Sequence, residues 1–436
     1  MPRAALKVLA FFALLVAAGY VLFGTGGPDS GDRVTVSFWG AYEEWHMWQQ
    51  MVAAYEKANP GEKVKMEYWV GGNYTDKVKI RLASATPPDV ILFQDEPFPP
   101  FCRFGKFQDL TEFLKTPGLT LHLERDYWDT AVESFKWQGR QYGVPVWGGN
   151  NLIYINKALF DRLGVPYPRE DWTIDDFLET ARRLTGDDDG DGRIDHYGFV
   201  MPYWLYMKPF IYAHGAQFIN NGDGRRFVGS EEARWIFTGP EAVAACRFAQ
   251  DLVWKHHVAP RAAEAAQMDS NVMFLTGRLG MFTTGPWGMP FLTKTDLDWD
   301  IVHVPRGPGG RFTRITWDAV VMASDSPRKE RAWRFMQFLV SGEAQRIVAE
   351  TQRSVPALKA AQETFVRANP KVHVNRFIEA MAYARLQPIT DQWEKMAQEI
   401  TSEHDKLVIG RQDPAETVRN LAERMEKVFG RKEGGP

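Results

Sequence analysis

The residues in this chain best suited to chemistry are carboxylates set beside tryptophans, and one dense acidic loop. Asp187-Asp-Asp-Gly-Asp-Gly-Arg-Ile-Asp195 places Asp187, Asp189, Asp191 and Asp195 at positions 1, 3, 5 and 9 of a calcium loop, with Gly192 at position 6 for the turn. That spacing lets alternate oxygens converge on one hard cation. Position 12, which should supply a bidentate glutamate, is Gly198. The segment therefore reads either as a modest structural calcium site or as a solvated Asp/Gly turn, and no cofactor is required. His256-His257 has no third ligand nearby, which argues against a metal there. Glu43 and Glu44 follow Trp39, and Asp95-Glu96 follows the apolar run Val90 to Phe93. A glycoside hydrolase would need two carboxyls about 5 to 10 Å apart. Sequence does not exclude such a pair, but no nucleophile or zinc signature accompanies it.

These groups need elements to position them. Val34, Val36 and Phe38 alternate with Thr35, Ser37 and Trp39, the period of a strand. Trp48, Met51, Val52 and Tyr55 recur at helical spacing, Val64, Met66 and Tyr68 alternate again, and Pro87-Pro88 precedes Val90 to Phe93. Strand, helix, strand, helix, strand predicts a βαβ build with a largely parallel sheet. Helix starts follow: a capping box at Thr173 to Asp176, Ser326-Pro327 before Trp333, Met336 and Leu339, and Asp413-Pro414 before Val418, Leu421 and Met425. The fold class is α/β with a helical C-terminal region.

A length of 436 residues suits two domains, since single cores stop growing at about 250 to 300 residues. The 52 basic and 55 acidic side chains nearly cancel without long single-sign runs, which argues against a nucleic-acid partner. Arg3 and Lys7 precede an uncharged apolar run of 16 residues from Val8 to Phe23. This is an export signal, so residues 1–31 are expected to be a signal peptide, cleaved after Ala18, or a retained N-terminal membrane anchor. The rest should function in the periplasm or at the cell exterior. Cys102 and Cys246 are either one disulfide or two buried thiols.

The segment from Tyr142 to Gly164, containing Gly-Val-Pro-Val-Trp-Gly-Gly-Asn-Asn-Leu-Ile-Tyr-Ile-Asn-Lys, resembles the signature of family-1 extracellular solute-binding proteins, the maltose-binding-protein-like components of ABC importers. Pro88 to Asp95, Trp172 to Phe177, Gly277 to Trp287, Ser326 to Phe335 and Ser341 to Gln345 stand in the order that family shows. Ile155 departs from its usual aromatic or Asn. The resemblance implies a two-lobe periplasmic-binding-protein fold with discontinuous lobes and three hinge crossings. Residues 32–142 with 302–340 would form lobe one, and 143–301 with 341–436 lobe two. It further implies capture of a sugar or oligosaccharide between the lobes, delivery to the importer's membrane subunits by hinge closure, a monomeric state and no enzymatic activity. A glycoside hydrolase, or a sugar sensor uncoupled from transport, is the alternative.

Sugars present a flat C–H face and an edge of hydroxyls, which aromatic planes and planar carboxylates match. Trp39, at the carboxyl end of the first strand, then becomes a ligand contact or a core residue, with Glu43 behind it. Asp95 and Glu96 occupy the equivalent end of the third strand, with helix capping as the alternative role. Trp147, beside Gly148 and Gly149, lies where the resemblance puts the first crossing, and Trp287 where the family places a stacking ring. Trp317 offers another ring or packs against the hinge. Tyr203, Trp204 and Tyr206 match a region lining the second lobe's wall, and Arg385 one that closes over the ligand.

Overall fold

The computed structural model describes residues 33–116, 121–200, 204–220, 232–265, 269–386 and 389–429. Its strands in chain order are β1 (Val34–Trp39), β2 (Val64–Trp69), β3 (Val90–Gln94), β4 (Lys136–Trp137), β5 (Arg140–Gln141), β6 (Gly143–Asn150), β7 (Leu152–Asn156), β8 (Tyr197–Phe199), β9 (Leu279–Thr284), β10 (Trp299–Val302), β11 (Thr313–Met322), β12 (Val355–Pro356) and β13 (Ala384–Leu386). One sheet runs β12-β6-β11-β3-β1-β2 with β13 beside β11, a second runs β10-β7-β9-β8, and β4 and β5 form a hairpin.

β1 lies between β2 and β3 and is parallel to both. Val34, Val36 and Phe38 are buried, and so are Thr35 and Ser37. Burial on both faces is what a parallel βαβ unit demands. The helix Tyr42–Ala58 buries Met47, Trp48, Met51, Val52 and Tyr55, and Trp48 stacks 4.6 Å from Phe38. Beyond β3 the pattern changes, because β11 is antiparallel to both β3 and β6. The sheet is mixed rather than largely parallel. β11 is also longer than its apolar segment Ala319 to Met322 suggests; the residues before that segment include Arg314, Thr316 and Asp318, which hide a strand from hydrophobicity alone.

The chain moves from the first sheet to the second through a single residue, Asn151, between β6 and β7. Residues 143–150 therefore pair with the first sheet, and the switch falls after Asn150 rather than at Gly143. It returns between Val302 and Thr313. The helix Gly342–Thr351 packs on the helix Tyr42–Ala58, and β12 pairs with β6, so the residues after Val340 stay with the first sheet. β13 still pairs with β11, and only beyond it do the helices Trp393–Val408 and Pro414–Val428 pack against Gly239–Trp254.

Thr173 accepts the Asp176 amide at 3.2 Å while the Asp176 carboxylate accepts the Thr173 amide at 2.9 Å, a complete capping box. Asp413 caps the last helix through the Glu416 amide at 2.9 Å. The Ser326 hydroxyl accepts the Arg328 amide at 3.1 Å and donates to Asp89 at 2.6 Å, closing the turn that leads into the helix beginning at Lys329. Cys102 and Cys246 are free and buried.

Gly198, in β8, approaches the helix Ile174–Arg183 so closely that a Cβ would lie 1.9 Å from the Ala181 carbonyl oxygen. No glutamate could occupy position 12 of the acidic loop against that backbone. Gly198→Ala is expected to cost about 1–3 kcal/mol through overpacking, measured by urea unfolding. An unchanged midpoint would mean that strand and helix separate freely.

Candidate functional site

A cavity of about 340 Å³ opens between the two sheets' domains, within the size range of small-ligand sites. Trp39 reaches it from the carboxyl end of β1, and Gln94 and Glu96 from the end of β3. Trp147 and Gly148 come from β6, and Arg314, Thr316 and Asp318 from β11. Leu205, Tyr206 and Trp287 close it from the second lobe, while Glu44, Arg353 and Ser354 complete the rim. Three indoles and several hydrogen-bonding groups thus converge. A larger cavity, about 810 Å³, lies beside the acidic loop, but the described residues that line it come from one lobe alone and include no tryptophan. Stacking and hydrogen bonding from two sides are available in the first cavity.

The cavity's charges are mostly paired. Arg314, 5% exposed, donates to Glu96 at 2.7 Å and to the Asn151 side chain at 3.3 Å, with its guanidinium 6.0 Å from the Trp287 ring. The Arg353 guanidinium pairs with Glu44, whose other oxygen accepts the Ala41 amide at 2.8 Å and so holds the start of the helix Tyr42–Ala58. The Trp147 indole N–H donates to Asp318 at 2.8 Å, and its ring meets Trp48 edge-on at 5.8 Å. Trp287 sits in a single 3₁₀ turn, Pro286–Gly288. Gly149 lets that turn approach, since a Cβ there would lie 2.5 Å from Pro286.

Of the residues singled out from sequence, the structure brings Trp39, Glu96, Trp147 and Trp287 to the cavity. The others lie elsewhere. Asp95 is fully buried and its carboxylate accepts the Thr316 hydroxyl at 2.8 Å and the Trp317 amide at 3.1 Å; burial first and the neighbouring Glu96 second raise its pKa. It locks β3 to β11 instead of facing a ligand. Trp317 is buried, donating its indole N–H to Thr130 at 3.2 Å. Trp204, 1% exposed, packs against Phe218 and Trp393, and its neighbours Leu205 and Tyr206 line the cavity in its place. Glu43 is bound to Lys294 across the lobes at 2.6 Å. The Arg385 guanidinium lies 3.6 Å from the Phe312 ring. Tyr203 falls outside the described residues.

Tyr206, of the aromatic cluster that follows Pro202, and Glu44, named with Glu43, line the cavity too, and so do Gln94, Arg314, Thr316, Asp318, Arg353 and Ser354, which were not singled out. Gln94 to Glu96 and Tyr206 adjoin motifs visible in the sequence. Arg314 and Arg353 carry no local signal, since only the folded chain brings them to the same place.

In the acidic loop, carboxylate oxygens of Asp187, Asp189 and Asp195 lie within 4.8 Å of one another. Asp191 is turned to its own loop, accepting the Arg193 amide at 2.8 Å. Asp187 accepts the Gly190 and Gly192 amides at 2.7 and 2.8 Å.

Two α/β lobes sharing a mixed aromatic and polar cavity define a solute-binding protein of the periplasmic type. Residues 50–374 match the family described as bacterial extracellular solute-binding protein, and the chain belongs to it. This is a family of binding proteins, not enzymes. A curated binding protein from Brucella abortus is 21% identical over 422 residues, covering 95% of this chain and 97% of its own. The ABC substrate-binding protein of Listeria monocytogenes in complex with cycloalternan superimposes with a TM-score of 0.82 at 24% identity, covering 92% of this chain and 99% of its own. A Thermotoga lettingae ABC transporter solute-binding protein bound to α-D-tagatose gives 0.76 at 20% identity, over 92% and 100%.

The split between structural and cavity-facing acids has a measurable consequence. Asp95→Ala orphans two buried donors and is expected to lower unfolding stability by about 1–3 kcal/mol for each. Lys294→Ala removes a largely exposed partner and should cost at most about 1 kcal/mol. Urea unfolding of the two variants should separate them clearly; equal effects would place Asp95 outside the structural frame.

Proposed function

We propose that this chain is the extracytoplasmic, monomeric substrate-binding component of an ABC importer, capturing a sugar or oligosaccharide between its lobes and delivering it to the membrane subunits by hinge closure. The observation that carries this reading is the pairing of Trp39, Trp147 and Trp287 with Glu96, Arg314 and Asp318 around one cavity. Rings can cover a pyranose face while carboxylates and guanidinium take its hydroxyls. The carbohydrates held by the Listeria and Thermotoga neighbours support the same ligand class. Contacts on both lobes favour the closed state, which is the only way a ligand can shift such an equilibrium. The lobes divide at Asn151, between Val302 and Thr313, and after β13, which still pairs with β11. Residues 1–31 direct export and either leave as a signal peptide or stay as an anchor.

Tryptophan fluorescence and thermal shift against a panel of gluco- and chito-oligosaccharides test this. At least one sugar is expected to raise the melting temperature without being cleaved. Trp287→Ala should weaken it at least about tenfold, the loss of one stacked ring with its buried area. Product formation would overturn the binding reading, and unchanged affinity would move the site.

The converging carboxylates of Asp187, Asp189 and Asp195 support a second reading, a structural calcium site in the second lobe. Millimolar calcium is expected to raise the melting temperature, and Asp187→Asn with Asp189→Asn to abolish that rise. No rise in the wild type would leave the loop a solvated turn.

A further inference from the structure

We propose that Asp318 is the hydrogen-bond acceptor that orients the bound sugar, and that its ionisation couples capture to pH. This rests on the carbohydrate reading and adds a specificity-determining residue to it.

Asp318 stands where the β6–β11 ladder loses register. Asp318 faces Trp147 and Ala319 faces Pro145, leaving Val146 without an opposite residue. Pro145 has no N–H to offer the ladder, and an irregularity at such a point turns a side chain out of its regular direction. The turned side chain is at the cavity wall. Three acids line that wall. Glu44 is held by Arg353 and Glu96 by Arg314, whereas Asp318 has an indole N–H on Oδ2. Its Oδ1 is buried and receives no hydrogen bond from the described residues. A buried, unsatisfied carboxylate oxygen opposes folding. Such a group persists where a bound partner supplies the donor, and a sugar hydroxyl is a donor of the right kind.

The groups acting on Asp318 are few. Burial dominates and raises its pKa to about 7; Arg353 and the Trp147 hydrogen bond pull the other way, and Glu96 and Glu44 push with burial. A hydroxyl donated to Oδ1 favours the charged form. Sugar binding below about pH 7 must therefore release a proton, and affinity must rise as pH climbs towards about 7 and level off above it. Stability of the unliganded protein changes with the opposite sign. The folded state holds the proton to a higher pH than the unfolded chain, so this residue's contribution falls as pH rises from the ordinary carboxylate range to about 7.

Isothermal titration of maltotriose and of diacetylchitobiose from pH 5.5 to 8.5, in buffers of different ionisation enthalpy, tests this on the exported chain. The wild type is expected to release protons below about pH 7 and to bind more tightly as pH rises towards it, by up to about tenfold per pH unit, with affinity levelling off above. Asp318→Asn keeps the shape and removes the charge. At pH 8 it is expected to weaken sugar binding at least about tenfold, abolish proton release, and raise the melting temperature of the unliganded protein. Sugar binding without proton release, or undiminished in Asp318→Asn, overturns the role of Asp318 alone. Binding of neither sugar by the wild type overturns it together with the carbohydrate reading. If Asp318→Asn melts below the wild type, the wild-type proton count decides.

Discussion

The organisation of the cleft depends on one buried guanidinium. Arg314 lies beside the single residue through which the chain first leaves one sheet for the other, and it holds that residue's side chain, Glu96 from the end of β3, and a position facing Trp287 from the opposite lobe. A guanidinium is the one side chain that can face several directions in a plane without losing its charge. Burying it is costly unless each direction is answered. Glu96 and Asn151 answer two of them. The remaining edge of the guanidinium, its Nε–H, is buried without a hydrogen-bond partner among the described residues, and β3, β6, β11 and the Trp287 turn are arranged around this one charge.

The same economy explains why neighbouring acids have such different fates. Asp95 and Glu96 are adjacent in sequence, yet one bridges β3 to β11 from within the sheet and the other emerges at its edge. Likewise Glu43 reaches across to Lys294 while Glu44 turns inward to Arg353 and the helix start. Alternation along a strand or around a helix decides this, and a shift of one position would exchange the roles.

The fold was largely legible from the chain because its signals are local. Alternation marked β1 and β2, helical spacing marked Tyr42–Ala58, and the capping residues Thr173 and Asp413 set helix starts within a residue of where they occur. The cavity was legible in part. Trp39, Trp147 and Trp287 stand out by type and by their glycine neighbours. Trp204 and Trp317 stand out equally by type, but their rings are spent on packing, and no periodicity separates the two kinds. Arg314, Asp318 and Arg353 acquire meaning only from strand neighbours far away in sequence. The lobe boundaries moved for a related reason: β6 and β12 look like the start and end of segments, but pairing assigns both to the first sheet.

The two thiols lie in separate hydrophobic cores, Cys102 beneath the first sheet's helices and Cys246 among the C-terminal helices. Joining them would require both cores to be opened. The native state therefore owes nothing to an oxidant, and its stability is the same in reducing or oxidising surroundings. A polypeptide of this kind needs no thiol oxidase or disulfide isomerase to mature.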